Sequence, residues 1–196
     1  MYFDPLFRDD RYTDHLWRQA MVALPLPAPG RYGGLRIVQQ AAQCLPLFGR
    51  QLRLTAPAKW TLAYEGATLW MSDTPQERLM MLQGTAGMGG HVLVAGGGLE
   101  LYVHYLRRYQ PVQRITVIER NPDVVALLQT TLAIDPAVTL IQAPIEEFIA
   151  QVDGPAFASC YLDIHPTLDP RWLPGLNWLR DQCASHVTGP LRIWGY

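Results

Sequence analysis

HVLVAGGGLELYVHYL, residues 91–106, decides the fold. An apolar, β-branched run from Val92 to Ala95 meets three consecutive glycines, and a helical pattern begins at once. A strand covered on both faces needs such a continuous apolar run. Glycines let the chain turn sharply and bring its backbone close to a ligand, and the free N–H groups of the next helix suit a polar group. A dinucleotide loop of the form G-x-G-x-x-G would need a third glycine where this chain has Leu101. The pyrophosphate-binding version of the loop is therefore incomplete.

Downstream, the pattern alternates. RITVIE, VTLIQA, FASCYLD and PLRIWGY read as short, apolar strands, separated by helices over 122–133, 145–151 and 171–186. With HVLVA they predict an α/β, Rossmann-like, mainly parallel sheet with helices on both faces. Upstream, the spacing predicts a helix over 13–23, capped by Thr13 or Asp14, and then the Pro-rich connector LPLPAPGRYGG. GLRIVQQ, RQLRLTA and KWTLAYEGATLWMS alternate apolar with polar residues, as antiparallel strands do, with a hairpin turn at Glu65-Gly66. SDTPQERLMMLQ follows as a helix. Ser72, Asp73 or Thr74 would cap it, with Pro75 in the first turn, Glu77 close behind, and Leu79, Met80 and Leu82 as the buried stripe. The division expected is a helix and β-hairpin segment over 1–80 and a Rossmann-like domain over 81–196.

Composition narrows the function classes. The chain has 16 basic and 17 acidic residues, for a net charge of -1, so neither nucleic acid nor an anionic membrane is an expected partner. No apolar run approaches the ~20 residues of a membrane span. MYFDPLFRDDRY is acidic and broken by proline, unlike a signal peptide, so a cytoplasmic protein is expected. Cys44, Cys160 and Cys183 are far apart, and the five histidines show no ligand spacing, so no metal site is expected. Lys59 is the sole lysine, which leaves one candidate for Schiff-base chemistry.

Ligands of an open parallel sheet bind beyond the carboxyl ends of its strands. The first such end is Gly96-Gly97-Gly98. The second is VIERNPDVV, whose Glu119 lies 23 residues beyond Gly96, where an acid can accept hydrogen bonds from ribose hydroxyls. VLVAGGGLEL followed by VIERNPDVV resembles the first two motifs of class I S-adenosylmethionine-dependent methyltransferases, closest to the spermidine-synthase-like branch. TLAYEGATLWMSDTPQERL is similar to that branch's β-hairpin and helix ahead of the Rossmann domain, and the resemblance runs over about residues 60–165.

The resemblance implies S-adenosylmethionine as cofactor. Gly96, Gly97 and Gly98 would approach its methionine and sugar, Glu119 would hold the ribose, Arg120 would lie beside the adenine and Ile145 would pack on the ring. Asp163, ending FASCYLD, takes the last acidic position at the mouth of the site and is the candidate catalytic base. His165 stands two residues further on. There are departures. Leu99 replaces the loop acid that meets the cofactor's amino group, and Pro144 replaces the Asp that receives the adenine amine. Glu100 stands where the branch has glycine, either as a helix-start acid or as a ligand for the displaced amino-group contact. After PLRIWGY no counterpart of the branch's last two strands follows, so truncated C-terminal strands and a homodimer covering that edge are expected. The resemblance implies methyl transfer to a small-molecule acceptor. Alternatives are a non-catalytic ligand-binding or assembly protein, aminopropyl transfer, and NAD-linked hydride transfer, the last opposed by Leu101.

Overall fold

The computed structural model of the chain describes residues 10–132, 135–167 and 169–195. A helix, α1 (Asp10–Ala20), precedes four strands: β1 (Gly30–Tyr32), β2 (Leu35–Leu47), β3 (Arg50–Glu65) and β4 (Thr68–Ser72). They form one antiparallel sheet in the order β1-β2-β3-β4. Helix α2 (Pro75–Gly84) leads into β5 (Gly90–Ala95), α3 (Leu101–Tyr109), β6 (Val112–Glu119), α4 (Pro122–Gln129), β7 (Val138–Gln142), α5 (Ile145–Ile149) and β8 (Ser159–Leu162). A 3-10 turn (Pro170–Trp172), α6 (Leu173–Ala184) and β9 (Leu191–Ile193) follow. The second sheet is wholly parallel, in the order β7-β6-β5-β8-β9. Both faces are covered, as the apolar strands demand. Val92, Val94, Ile115 and Val117 pack against α2, α3 and α4, while Leu93, Ala95, Ile118, Cys160 and Leu162 pack against α5 and α6. No helix among the described residues is long and apolar enough to cross a membrane.

The N-terminal part departs most from expectation. RQLRLTA and KWTLAYE are a single strand, β3, pairing along nearly all of β2 and broken only by a bulge between Ala42 and Cys44. The bulge lets Pro57, which has no N–H to donate, sit within the strand. Strand β1 is only three residues long and lies inside the Pro-rich connector. Helix α1 includes Thr13 and Asp14, so neither caps it.

A buried ion pair fastens α1 to α2. Arg78 donates to Asp73 Oδ2 (3.0 Å) and to the carbonyls of Asp73, Ala20 and Val22, and Tyr105 adds a bond to Ala20. The last carbonyls of α1, which a helix leaves unpaired, are thereby satisfied. A second fastening joins the two sheets. Gly34 N donates to Asp123 in the first turn of α4 (2.7 Å), and a Cβ on Gly33 would lie 2.0 Å from that carboxylate. The β1–β2 turn therefore docks on α4 and brings the antiparallel sheet over the carboxyl ends of β5, β6 and β8.

Candidate functional site

The strand order reverses direction between β5 and β8, and a cavity of about 760 Å³ opens above that point. The glycine loop forms its floor. Gly96 has φ 93° and Gly98 φ 54°, values that favour glycine. A Cβ on Gly96 would stand 1.8 Å from the carbonyl oxygen of Asp163, and one on Gly97 would stand 2.1 Å from Leu128. The loop is thus seated directly on β8 and α4, with no room for side chains.

Glu119 braces this loop. Its Oε2 accepts from Gly97 N (2.9 Å) and its Oε1 from Asn121 N (2.8 Å). Asn121 in turn caps α4 by accepting from Asp123 N, with Pro122 at the first helical position. A carboxylate oxygen has two acceptor directions, so each oxygen retains one for a ligand. Ile118, Ala143 and Ile145 supply an apolar wall beside Glu119, and Arg120 lies at its rim.

Asp163 enters from the end of β8. Its backbone N–H is tied to Ala95 O (2.8 Å), while its carboxyl has no hydrogen bond or ion pair among the described residues. Burial, with Glu77 and Glu119 nearby, pushes its pKa well above the usual carboxylate range. His165 stacks on Trp172 (centroids 4.4 Å apart, planes within 9°), and burial and nearby Arg120 lower its pKa. Of the residues the sequence singles out, Gly96, Gly97, Gly98, Glu119, Arg120, Ile145 and Asp163 all line this one cavity, with Leu99 and His165.

Glu100 is the exception, and the ligand reading of it is corrected. It is 1% exposed and does not line the cavity. Its backbone is left-handed, with φ 66°, which turns the side chain to the rear of the loop. There Thr131 donates to one carboxyl oxygen and the other lies 3.3 Å from His104 Nε2. Burial raises its pKa and His104 opposes the rise. A carboxyl held this way does not reach a ligand in front of the loop.

Sequence reasoning missed the far wall. Glu77, in the first turn of α2, faces the cavity beside Trp70, Met71 and Trp194. Trp194 Nε1 donates to Glu77 Oε1 (2.9 Å), and burial lifts the Glu77 pKa to about 7. In sequence, an acid just after Pro75 reads as a helix-start charge, and the indole that covers it comes from the opposite end of the chain.

No family model matches the chain, nor does any curated protein sequence. Solved structures do. A protein described as a probable spermidine synthase from Corynebacterium glutamicum aligns with 83% of this chain and 61% of its own, at 14% identity and a TM-score of 0.50. Spermidine synthase from Thermotoga maritima aligns over 65% and 46%, at 15% identity and a TM-score of 0.47. The 23S rRNA methyltransferase ErmE aligns over 55% and 41%, at 18% identity and a TM-score of 0.41. The chain therefore spans less than two thirds of the length of each. At these identities the likeness is one of fold. The chain has the Rossmann-like fold of the class I methyltransferase superfamily, in its spermidine-synthase-like form, with an antiparallel sheet on the N-terminal side.

Proposed function

We propose that this protein binds S-adenosylmethionine and transfers its methyl group to a small-molecule acceptor. The observation that carries the reading is the junction of the glycine loop with Glu119. The backbone is bare over Gly96–Gly98, and the carboxylate beside it keeps free acceptor directions where a ribose would lie. The residues present fit the adenosyl part of the ligand: Glu119 for the hydroxyls, Ile118, Ala143 and Ile145 for the ring, Arg120 at its edge. They fit its methionine amino group less fully, because Leu99 offers no acceptor and Glu100 points away. The bound sulfonium would supply an electrophilic methyl carbon. The chain's own part is to align an acceptor behind that carbon and exclude water, since in-line transfer depends mainly on positioning. Asp163 is the nearest group to take a proton from the acceptor.

Aminopropyl transfer from decarboxylated S-adenosylmethionine is a second reading, favoured by two observations. The fold likeness of TM-score 0.50 is to a spermidine synthase, and two carboxylates, Glu77 and Asp163, face the cavity. Calorimetry tests both readings against a non-catalytic protein. S-adenosylhomocysteine is expected to bind the wild type and to lose affinity in Glu119→Ala, and 5′-methylthioadenosine is expected to bind comparably if the amino-acid tail adds little. No heat with any adenosyl thioether at millimolar concentration would remove the enzyme reading.

A further inference from the structure

Glu77 and Asp163 approach the cavity from different parts of the fold and share a wall of aromatic rings. The Trp194 indole holds Glu77 through one oxygen, and the Trp194 backbone N–H is itself tied to Leu162 O (2.8 Å), the residue preceding Asp163. One short segment after β9 thus fixes both carboxyls relative to each other. The second oxygen of Glu77 and both oxygens of Asp163 have no partner among the described residues, and no guanidinium or ammonium pairs with them. Trp70 and Trp194 stand nearby, with Trp172 and Trp178 toward the opening. Tyr102 is stacked on Tyr161 at 3.7 Å, and its hydroxyl is committed to Gly84 O (3.1 Å), so it is not a free donor to either acid.

Two carboxylates held close in an apolar enclosure cannot both stay ionised unless a cation joins them. Indole faces also attract cations. We propose that Glu77 and Asp163 together seat one cationic nitrogen of the acceptor, and that Glu77 is a catalytic residue that takes its proton. The inference rests on the adenosyl-binding reading, with the donor lying against the glycine loop. The acceptor enters as an ammonium and passes a proton to the Glu77 carboxylate, leaving a neutral amine and a carboxylic acid. The nitrogen lone pair forms the new N–C bond at the sulfonium methyl carbon as the C–S bond breaks, its electrons passing to sulfur to give a thioether. The methylated ammonium stays paired with Asp163 until release, and Glu77 returns its proton to water. A pKa of about 7 suits a group that must both take and release a proton near neutrality. The other ionisable groups around the pair do not compete. Tyr102 and Tyr161 are pushed further up by burial, Glu119 is committed to the loop, and Arg192 donates to Ala86 O.

Tryptophan fluorescence tests the seat without turnover. Benzylamine, a cation at pH 7, is titrated against wild type, Glu77→Gln and Asp163→Asn, with benzyl alcohol as the neutral control. The same variants are titrated with S-adenosylhomocysteine by calorimetry. Gln keeps an acceptor for the Trp194 indole, so Glu77→Gln is expected to fold. Benzylamine should quench the wild type saturably and lose about tenfold or more in affinity in each variant, as loss of a buried charge partner does. S-adenosylhomocysteine affinity should not change. Equal binding of amine and alcohol, or of amine to wild type and Glu77→Gln, overturns the proposal. A parallel loss of S-adenosylhomocysteine affinity also overturns it, because the acids would then serve the donor's own ammonium. If the amine binds as expected and no adenosyl thioether binds the wild type, the seat stands and the donor reading fails.

Discussion

The two sides of the cavity hold carboxylates in opposite conditions. Glu119 has both oxygens occupied by backbone N–H groups, whereas Asp163, one strand away in the sheet order β6-β5-β8, has neither oxygen occupied. The loop side is a finished structure that a ligand joins. The far side, with Glu77 and Asp163, is incomplete until something charged enters. A buried acid tied by N–H donors is stabilised as the anion, while a buried acid without donors is driven toward its neutral form. The contrast separates a residue that shapes the site from residues left to act on what occupies it.

The largest effect should come from Gly96→Ala. The new methyl would collide with the Asp163 carbonyl and force alanine into a left-handed backbone. Together these cost about 2–5 kcal/mol, and chemical denaturation together with loss of S-adenosylhomocysteine binding would show it. Unchanged stability would mean that the loop does not sit on β8 as described.

Glu119→Gln comes next. An amide has one acceptor oxygen, so one of the two N–H groups of Gly97 and Asn121 loses its partner, at about 1–3 kcal/mol. At about 2–4 °C per kcal/mol for a chain of this size, the melting temperature should fall by several degrees. Asp163→Asn should show no such fall, because its carboxyl has no bond to lose. Equal losses in the two variants would erase the contrast.

The pH dependence runs the other way on the acid-rich side. The Glu77 pKa rises from 4.5 to about 7 on folding, so between those values the native state holds the proton more tightly than the unfolded chain. Stability from this group is full below pH 4.5 and is lost as pH rises through 7, by about 3 kcal/mol in all. Glu77→Gln removes that loss. Urea denaturation at pH 5 and pH 8 should find the variant gaining on the wild type as pH rises. A constant difference would show that Glu77 is not held as described.

The smallest effect is expected for Glu100→Gly. Glycine relieves the left-handed backbone, worth about 1 kcal/mol, and gives up the contacts to Thr131 and His104, so the two nearly cancel. Ligand affinity should be unchanged. A clear loss of S-adenosylhomocysteine binding would restore Glu100 as a ligand.

The parallel sheet was legible because burial on both faces leaves only apolar residues in β5, β6 and β8. The glycines and Glu119 were legible because a few bonds at adjoining strand ends govern them. Glu100 was not, since spacing along the chain cannot say to which side a left-handed residue turns its side chain. Glu77 was hidden for a different reason: its burial depends on Trp194, supplied from beyond β9. The long β2–β3 ribbon was obscured by Pro57, which only a bulge accommodates. Local pattern therefore revealed the loop side, while the far side depends on contacts between distant parts of the chain.

The most direct test of the account is a crystal structure with S-adenosylhomocysteine and benzylamine bound together. The account predicts ribose hydroxyls on Glu119, the adenine against Ile145, and the amine nitrogen between Glu77 and Asp163, facing the thioether sulfur. An adenosyl group bound away from Glu119, or its amino-acid tail lying between Glu77 and Asp163, would contradict it.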